Sequence, residues 1–200
     1  KKSSRVTGRI SVPTRMAKAN SPAPCKACRA CKRGCNAKAC PSGQGTAGEQ
    51  PWTALAQLDA GSWHSRGFAG EPLPTLQNLA RWCLANHVLL DLEIKPTPGA
   101  EERTGQVVAE HAARLWQGAA APPLLTSFRP EALQGAMQAA PQLPRGLLLD
   151  TLWDGWDAIA RQLHCVAIVC HHALWDAALV ARVKAMGMHA LSYTVNDAWA

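Results

Sequence analysis

From residue 75 onward the chain alternates between helical apolar stripes and short, nearly continuous apolar runs, and this rhythm constrains its fold more than any other feature. Thr75 can cap a helix reading TLQNLARWCLAN, with Leu76, Leu79, Ala80 and Cys83 on one stripe. A strand over residues 88–95 follows, then a helix over 104–117 that turns Val107, Val108, Ala112 and Leu115 inward. PLLTSF, residues 123–128, reads as the next strand. Pro130 opens a helix to residue 139, and residues 145–150 of PRGLLLD make a third strand. A helix over 154–163, strand VAIVCHH, a helix over 175–186 and strand HALSYTVN complete the series. Five strands in alternation with five helices predict a parallel sheet with right-handed crossovers. No GxGxxG follows any strand, which argues against an open dinucleotide-binding sheet. A full eight-fold barrel takes about 250 residues, so the fold class expected is α/β, a partial TIM (β/α)8-type barrel with five units.

The strand LLDLEIK and the PTPG after it carry the most chemical information. Side chains alternate along a strand, so Asp91, Glu93 and Lys95 share one face and Leu90, Leu92 and Ile94 the other. In a sheet covered on both sides, charged groups on one face are costly unless paired or used. Other polar or reactive side chains stand at the ends of the later strands: Thr126, Ser127 and Phe128, then Asp150, then His171 and His172, then Thr194 and Asn196. In a barrel the strand C-termini form the face where chemistry takes place. Glu93 and Lys95 are therefore the leading site candidates. Phe128 and Tyr193 read as core residues, with apolar walls for a ligand as the alternative.

Charge divides the chain in two. Residues 1–50 carry eleven Lys or Arg against one acid, Glu49, whereas residues 51–200 carry ten against thirteen. The first fifty residues also hold five of the eight cysteines and no Trp, Phe, Tyr or Leu, a composition unable to bury a core. No apolar run approaches the ~18 residues of a membrane helix, and no signal-peptide core stands near the start. No membrane span is expected, and the compartment expected is the cytoplasm, where Cys83, Cys165 and Cys170 stay reduced.

LEIKPTPG, with GSWHSRGFAGEPLPTL before it and PRGLLLD and YTVND after it, resembles the glycerophosphodiester phosphodiesterases, most closely their bacterial cytosolic branch. The resemblance runs from about Ser42 to Ala200. It implies a barrel of the triosephosphate isomerase type that hydrolyses a small-molecule glycerophosphodiester to glycerol 3-phosphate and an alcohol, with a divalent cation, magnesium or calcium, as cofactor. By the resemblance Glu93 matches the metal-ligand glutamate, and Lys95 matches the lysine placed to meet a phosphate oxygen. Both roles suit the chemistry. Cleaving a phosphodiester builds negative charge on phosphoryl oxygens, which a hard cation held by carboxylates and a nearby ammonium would neutralise.

The family also uses a histidine in His-Arg-Gly, a histidine in His-Asp, and a Glu-x-Asp pair, and the sequence contains none of these strings. No catalytic acid or base is identifiable. His64, His87, His111, His164, His171, His172 and His189 read as surface or packing residues, His171 and His172 alone ending a strand on the appropriate face. Cys25, Cys28, Cys31 and Cys35 follow C-x2-C-x2-C-x3-C, the ligand run of a bacterial ferredoxin. As an iron–sulfur or zinc site this arm would make the chain a non-catalytic barrel remnant. Asn36 after the last of these cysteines, the absence of a second cysteine run and the lack of apolar shielding weigh against it. The segment has charge but no interleaved aromatic residues, so no nucleic-acid partner is expected. The domain expectation is a disordered or frame-shifted basic segment over 1–41 and an incomplete phosphodiesterase domain over 42–200. Sequencing the nucleotides around codon 42 should reveal one insertion or deletion whose correction restores the three missing strings; a reading frame that no single change improves would refute it.

Overall fold

The computed structural model describes residues 7–13 and 50–195. Residues 7–13 and 80–195 belong to one compact unit and residues 50–79 to another. In the first unit six parallel strands form one sheet: β1 (Thr7–Pro13), β2 (Leu89–Lys95), β3 (Leu124–Ser127), β4 (Arg145–Leu149), β5 (Ala167–His171) and β6 (His189–Tyr193). Their order in the sheet is their order in the chain. A doubly wound sheet reverses direction at a switch point, whereas a barrel wall always steps the same way, and this sheet steps the same way throughout.

One-turn helix α1 (Trp52–Leu55) lies in the other unit, and α2 (Leu76–Ala85) leads to β2. The crossovers are α3 (Glu101–Leu115), α4 (Pro130–Ala139), α5 (Trp156–Gln162) and α6 (Ala177–Ala185), with a 3-10 turn at His172–Leu174 before α6. Thr75 Oγ1 accepts the Asn78 N–H at 3.0 Å, the cap expected from the sequence. Asp176 Oδ1 caps α6 by accepting the Leu179 N–H at 2.7 Å. Pro130 occupies the first turn of α4, where its missing N–H costs nothing. Left-handed turns follow α3 at Gly118 and α6 at Gly187; the same conformation after α2 and α5 is taken by His87 and His164, at φ of 54° and 50°.

Alternate strand residues face the helices. Leu147 and Leu149 of β4 and Ile168 and Cys170 of β5 pack with Leu133, Trp156, Ala160, Leu179 and Val183 in a single core. The other strand face bounds a hollow of about 610 Å³ lined by residues of β2, β3, β5 and β6, among them Asp91, Leu124, Val169, Leu191 and Tyr193. The sheet therefore curls so that β2 looks across at β5 and β6.

Strand β1 lies within residues 1–41 and pairs with β2 from Thr7 opposite Leu89 to Pro13 opposite Lys95. Strand β2 thus has a parallel neighbour on each side, β1 and β3. Thr7, Ile10 and Val12 supply the β-forming residues of β1. The rest of 1–41 lies outside the described residues. One expectation needs correction: α3 starts at Glu101, and while Ala112 is buried as expected, Gly105 and Ala109 are buried with it and the bulkier Val107, Val108 and Leu115 are only half-buried. The reason is proximity to α4. A Cβ on Gly105 would fall 1.8 Å from the carbonyl oxygen of Ala132, and one on Gly135 would fall 2.0 Å from that of Glu102. Each helix presents a glycine to the other's backbone.

In residues 50–79, Asp59 organises a loop. Its carboxylate accepts from the N–H groups of Gly61 (2.8 Å), Ser62 (2.9 Å) and Gly70 (2.9 Å), and from the Ser62 hydroxyl. The Ser62 hydroxyl first, then these amides, hold the carboxyl far below the usual range. The loop displays Trp63, His64 and Phe68 in successive edge-to-face contacts.

Two outcomes are expected. In an exposed helix Gly→Ala usually stabilises by up to about 1 kcal/mol, but Gly105→Ala or Gly135→Ala should destabilise by about 2 kcal/mol through overpacking, measured by denaturant titration. Because the folded carboxyl of Asp59 is depressed, its contribution is present above the ordinary carboxylate pKa and is lost as pH falls below about 4. Hydrogen-exchange protection of the Gly61, Ser62 and Gly70 amides should fall in that acid range. It should fall at neutral pH in Asp59→Ala, and undiminished protection in that variant would refute the anchor.

Candidate active site

The charged face of β2 is where alternation places it. Glu93 is 3% exposed. The ammonium of Lys95 lies 3.5 Å from Glu93 Oε1, and its side chain is about half exposed. One strand thus carries a buried carboxylate and, two residues or about 7 Å further along, a cation that reaches solvent. Pro96 and Pro98 follow directly, ending the ladder at the mouth of the sheet.

Strand β3 fixes the height of this pair. Glu93 is in register with Thr126, which is fully buried. The Thr126 hydroxyl donates to Asp91 Oδ1 at 2.7 Å, and the Ser127 hydroxyl donates to the carbonyl of Ile94 at 2.7 Å while accepting the Arg129 N–H at 3.1 Å. Consecutive side chains on opposite faces of β3 therefore both hold β2. The only signal for this in the sequence is the pair of short hydroxyl residues in an otherwise apolar run.

Rings close the far side of the mouth. Phe128 meets Tyr193 edge to face at 5.7 Å, Tyr193 meets His171 edge to face at 5.9 Å, and His171 lies against His172 at 4.4 Å. Tyr193 donates its hydroxyl to the carbonyl of Leu149 at 2.9 Å, reaching over β5 to β4. Phe128 and Tyr193 are half-buried rather than interior core. Asp150 and Thr194 are exposed at the same end of the sheet.

The other histidines are elsewhere. His87, His164 and His189 precede or open strands, at the opposite end of the sheet. His111 is on the exposed side of α3, its Nδ1 3.0 Å from Arg114 Nη2, and His64 lies in the 50–79 unit. Cys25, Cys28, Cys31 and Cys35 lie outside the described residues. The described thiols are unsuited to bind metal, since burial pushes Cys165 up to about 12 and Cys170 up to about 11 and keeps both protonated. Among the described residues no group of three or more His, Cys, Asp or Glu side chains is placed to hold a metal ion. Magnesium and calcium take six or more oxygens, so Glu93 with its neighbours does not complete a site for either.

A same-sense parallel βα wall with a carboxylate and an ammonium at the C-terminal end of one strand has the form of part of a (β/α)8-type barrel. The sequence profile of the Glycerophosphoryl diester phosphodiesterase family matches residues 36–199, and the chain belongs to that family. The match begins six residues before Ser42. YhdW of Bacillus subtilis, assigned by name to the glycerophosphodiester phosphodiesterases, is 24% identical over 153 residues, covering 72% of this chain and 58% of its own. A solved phosphodiesterase of Oleispira antarctica, in complex with the product sn-glycerol-3-phosphate, superposes with a TM-score of 0.71 at 29% identity over 78% of this chain and 63% of that one. A glycerophosphodiester phosphodiesterase of Agrobacterium tumefaciens shares the fold, with a TM-score of 0.62 at 20% identity over 80% and 65% of the two chains. The chain thus spans less than two thirds of the length of each of these relatives.

Proposed function

We propose that this chain carries the phosphate-holding part of a phosphoric diester hydrolase acting on a glycerophosphodiester. The observation that carries the reading is the Glu93–Lys95 pair: a buried carboxylate 3.5 Å from a half-exposed ammonium at a strand C-terminus, in a chain of this family. Lys95 turns its ammonium from Glu93 toward a phosphoryl oxygen, a charge-assisted contact that needs little rearrangement of a flexible side chain. Glu93 would offer one oxygen to a divalent cation, magnesium or calcium, whose remaining ligands the described residues do not supply, and such an ion would neutralise phosphoryl charge. Phe128 and Tyr193 exclude water from one side of the ligand.

In the overall reaction water adds to phosphorus, the P–O bond to the alcohol breaks, and the alcohol leaves with a proton. The proton transfers belong to the His-Arg-Gly and His-Asp segments that the sequence does not contain. Domain 42–200 is therefore read as a binding half whose turnover is negligible. We place it in the cytoplasm, a reading supported by the buried free thiols Cys83, Cys165 and Cys170 and compatible with the absence, among the described residues, of any helix long and apolar enough to cross a membrane.

Glycerol 3-phosphate should bind in the presence of magnesium or calcium, and Lys95→Met should weaken binding roughly tenfold, the weight of one hydrogen bond to a charged group. Isothermal titration checks this. No measurable release of glycerol 3-phosphate from a glycerophosphodiester is expected, and robust release that disappears in Glu93→Gln would show that acid and base are present after all.

A further inference from the structure

At the far side of the mouth, His171 is the last residue of β5, and its ring is fixed by the turn that follows. The N–H of Ala173 donates to His171 Nδ1 at 3.3 Å. A ring nitrogen that accepts a hydrogen bond carries no hydrogen, so a neutral His171 has its hydrogen on Nε2. The ring is also held on its faces and edges, by Tyr193 at 5.9 Å and 84° and by His172 at 4.4 Å and 35°. Tyr193 is tied down by its own bond to Leu149, and the turn is anchored by Trp175, whose indole N–H donates to the Leu191 carbonyl at 3.1 Å. No described residue hydrogen-bonds Nε2 of this exposed ring.

His171 also points to the right place. It is in register with Tyr193, and alternation puts it on the same sheet face as Val169, two residues earlier. Val169 and Asp91 line the same hollow, and Asp91 stands two residues before Glu93 on its own strand. Glu93 and Lys95 on β2 and His171 on β5 thus stand further along the strand faces whose residues Asp91 and Val169 line that hollow.

Resting on the phosphodiester reading above, we propose that His171 is a ligand-binding residue whose Nε2–H donates to a phosphoryl oxygen opposite Lys95. With Nδ1 occupied by the Ala173 amide, Nε2–H is the donor the ring offers. It takes no proton from the attacking water, which distinguishes it from the acid and base that the reaction also needs. The donor defines the ligand class as a phosphate mono- or diester with unprotonated oxygens.

The test has two independent readouts on the full chain. Nitrogen-15 NMR of the histidine side chains at neutral pH should show His171 with its hydrogen on Nε2. Titration with glycerol 3-phosphate should shift that nitrogen, and His171→Phe, which keeps a ring and removes the donor, should weaken binding roughly tenfold. His171→Gln, whose amide nitrogen reaches about as far as Nε2, should restore much of the loss. A hydrogen on Nδ1 overturns the proposal whatever the binding result. Wild-type affinity in His171→Phe together with loss in Lys95→Met overturns the role of His171 and leaves the phosphodiester reading intact; no binding by the wild-type chain overturns both.

Discussion

The arrangement at the mouth depends on the register between β2 and β3. A slip of one residue in a strand pairing would carry every side chain to the opposite face, taking Glu93 into the apolar core and Ile94 into the hollow. Backbone ladders alone repeat and do not choose among registers. Two side-chain bonds do: Thr126 to Asp91 on the hollow side, and Ser127 to the Ile94 carbonyl on the other. Both lie where water is largely excluded and a lost partner would leave a polar group stranded, at a cost of about 1–3 kcal/mol each. The β3 segment is only four residues long, so these bonds act over its whole usable length.

The helices outside the sheet answer to the same geometry. Neighbouring strands are about 4.8 Å apart while helices pack 8–10 Å apart, so helices covering a curled sheet must splay or approach closely. The α3–α4 pair approaches. Gly105 and Gly135 remove the side chains that would otherwise meet the facing carbonyls, and Gln106 and Gln138 close the contact at the surface with a 3.1 Å hydrogen bond. A glycine in mid-helix ordinarily weakens the helix; here it lets two backbones meet, and the helix is retained by its packing.

Much of this was legible in the sequence. Periodicity placed five strands and their helices, because burial on both sides of a parallel sheet leaves apolar runs with few alternatives. Alternation put Glu93 and Lys95 on one face without any fold being known. What was not legible depends on partners distant in sequence. Only Ala112 of the stripe expected on α3 is fully buried, because apolarity favours Val107, Val108 and Leu115 whereas the neighbouring helix demands the smallest residues. The fixed ring of His171 arises from a bend two residues long, and its aromatic neighbours come from β3 and β6. Strand β1 was not read because only Thr7, Ile10 and Val12 of its seven residues favour a strand, and its partner β2 is far along the chain.

Two buried charges show how differently the ends of the sheet are used. Arg145 opens β4 at the N-terminal end, and its guanidinium donates to the carbonyls of Leu163 (3.0 Å), Pro141 (3.1 Å) and Leu143 (2.7 Å). Burial lowers its pKa, and the backbone of two successive αβ turns receives its hydrogens. A guanidinium bound in this way ties together the turns that feed β4 and β5. Glu93 is as deeply buried at the other end, but the cation beside it belongs to a flexible side chain about half in solvent. Such an ammonium can exchange a carboxylate oxygen for a phosphoryl oxygen without moving the strand. A rigid charge at one end and an exchangeable partner at the other separate holding the fold from holding a ligand.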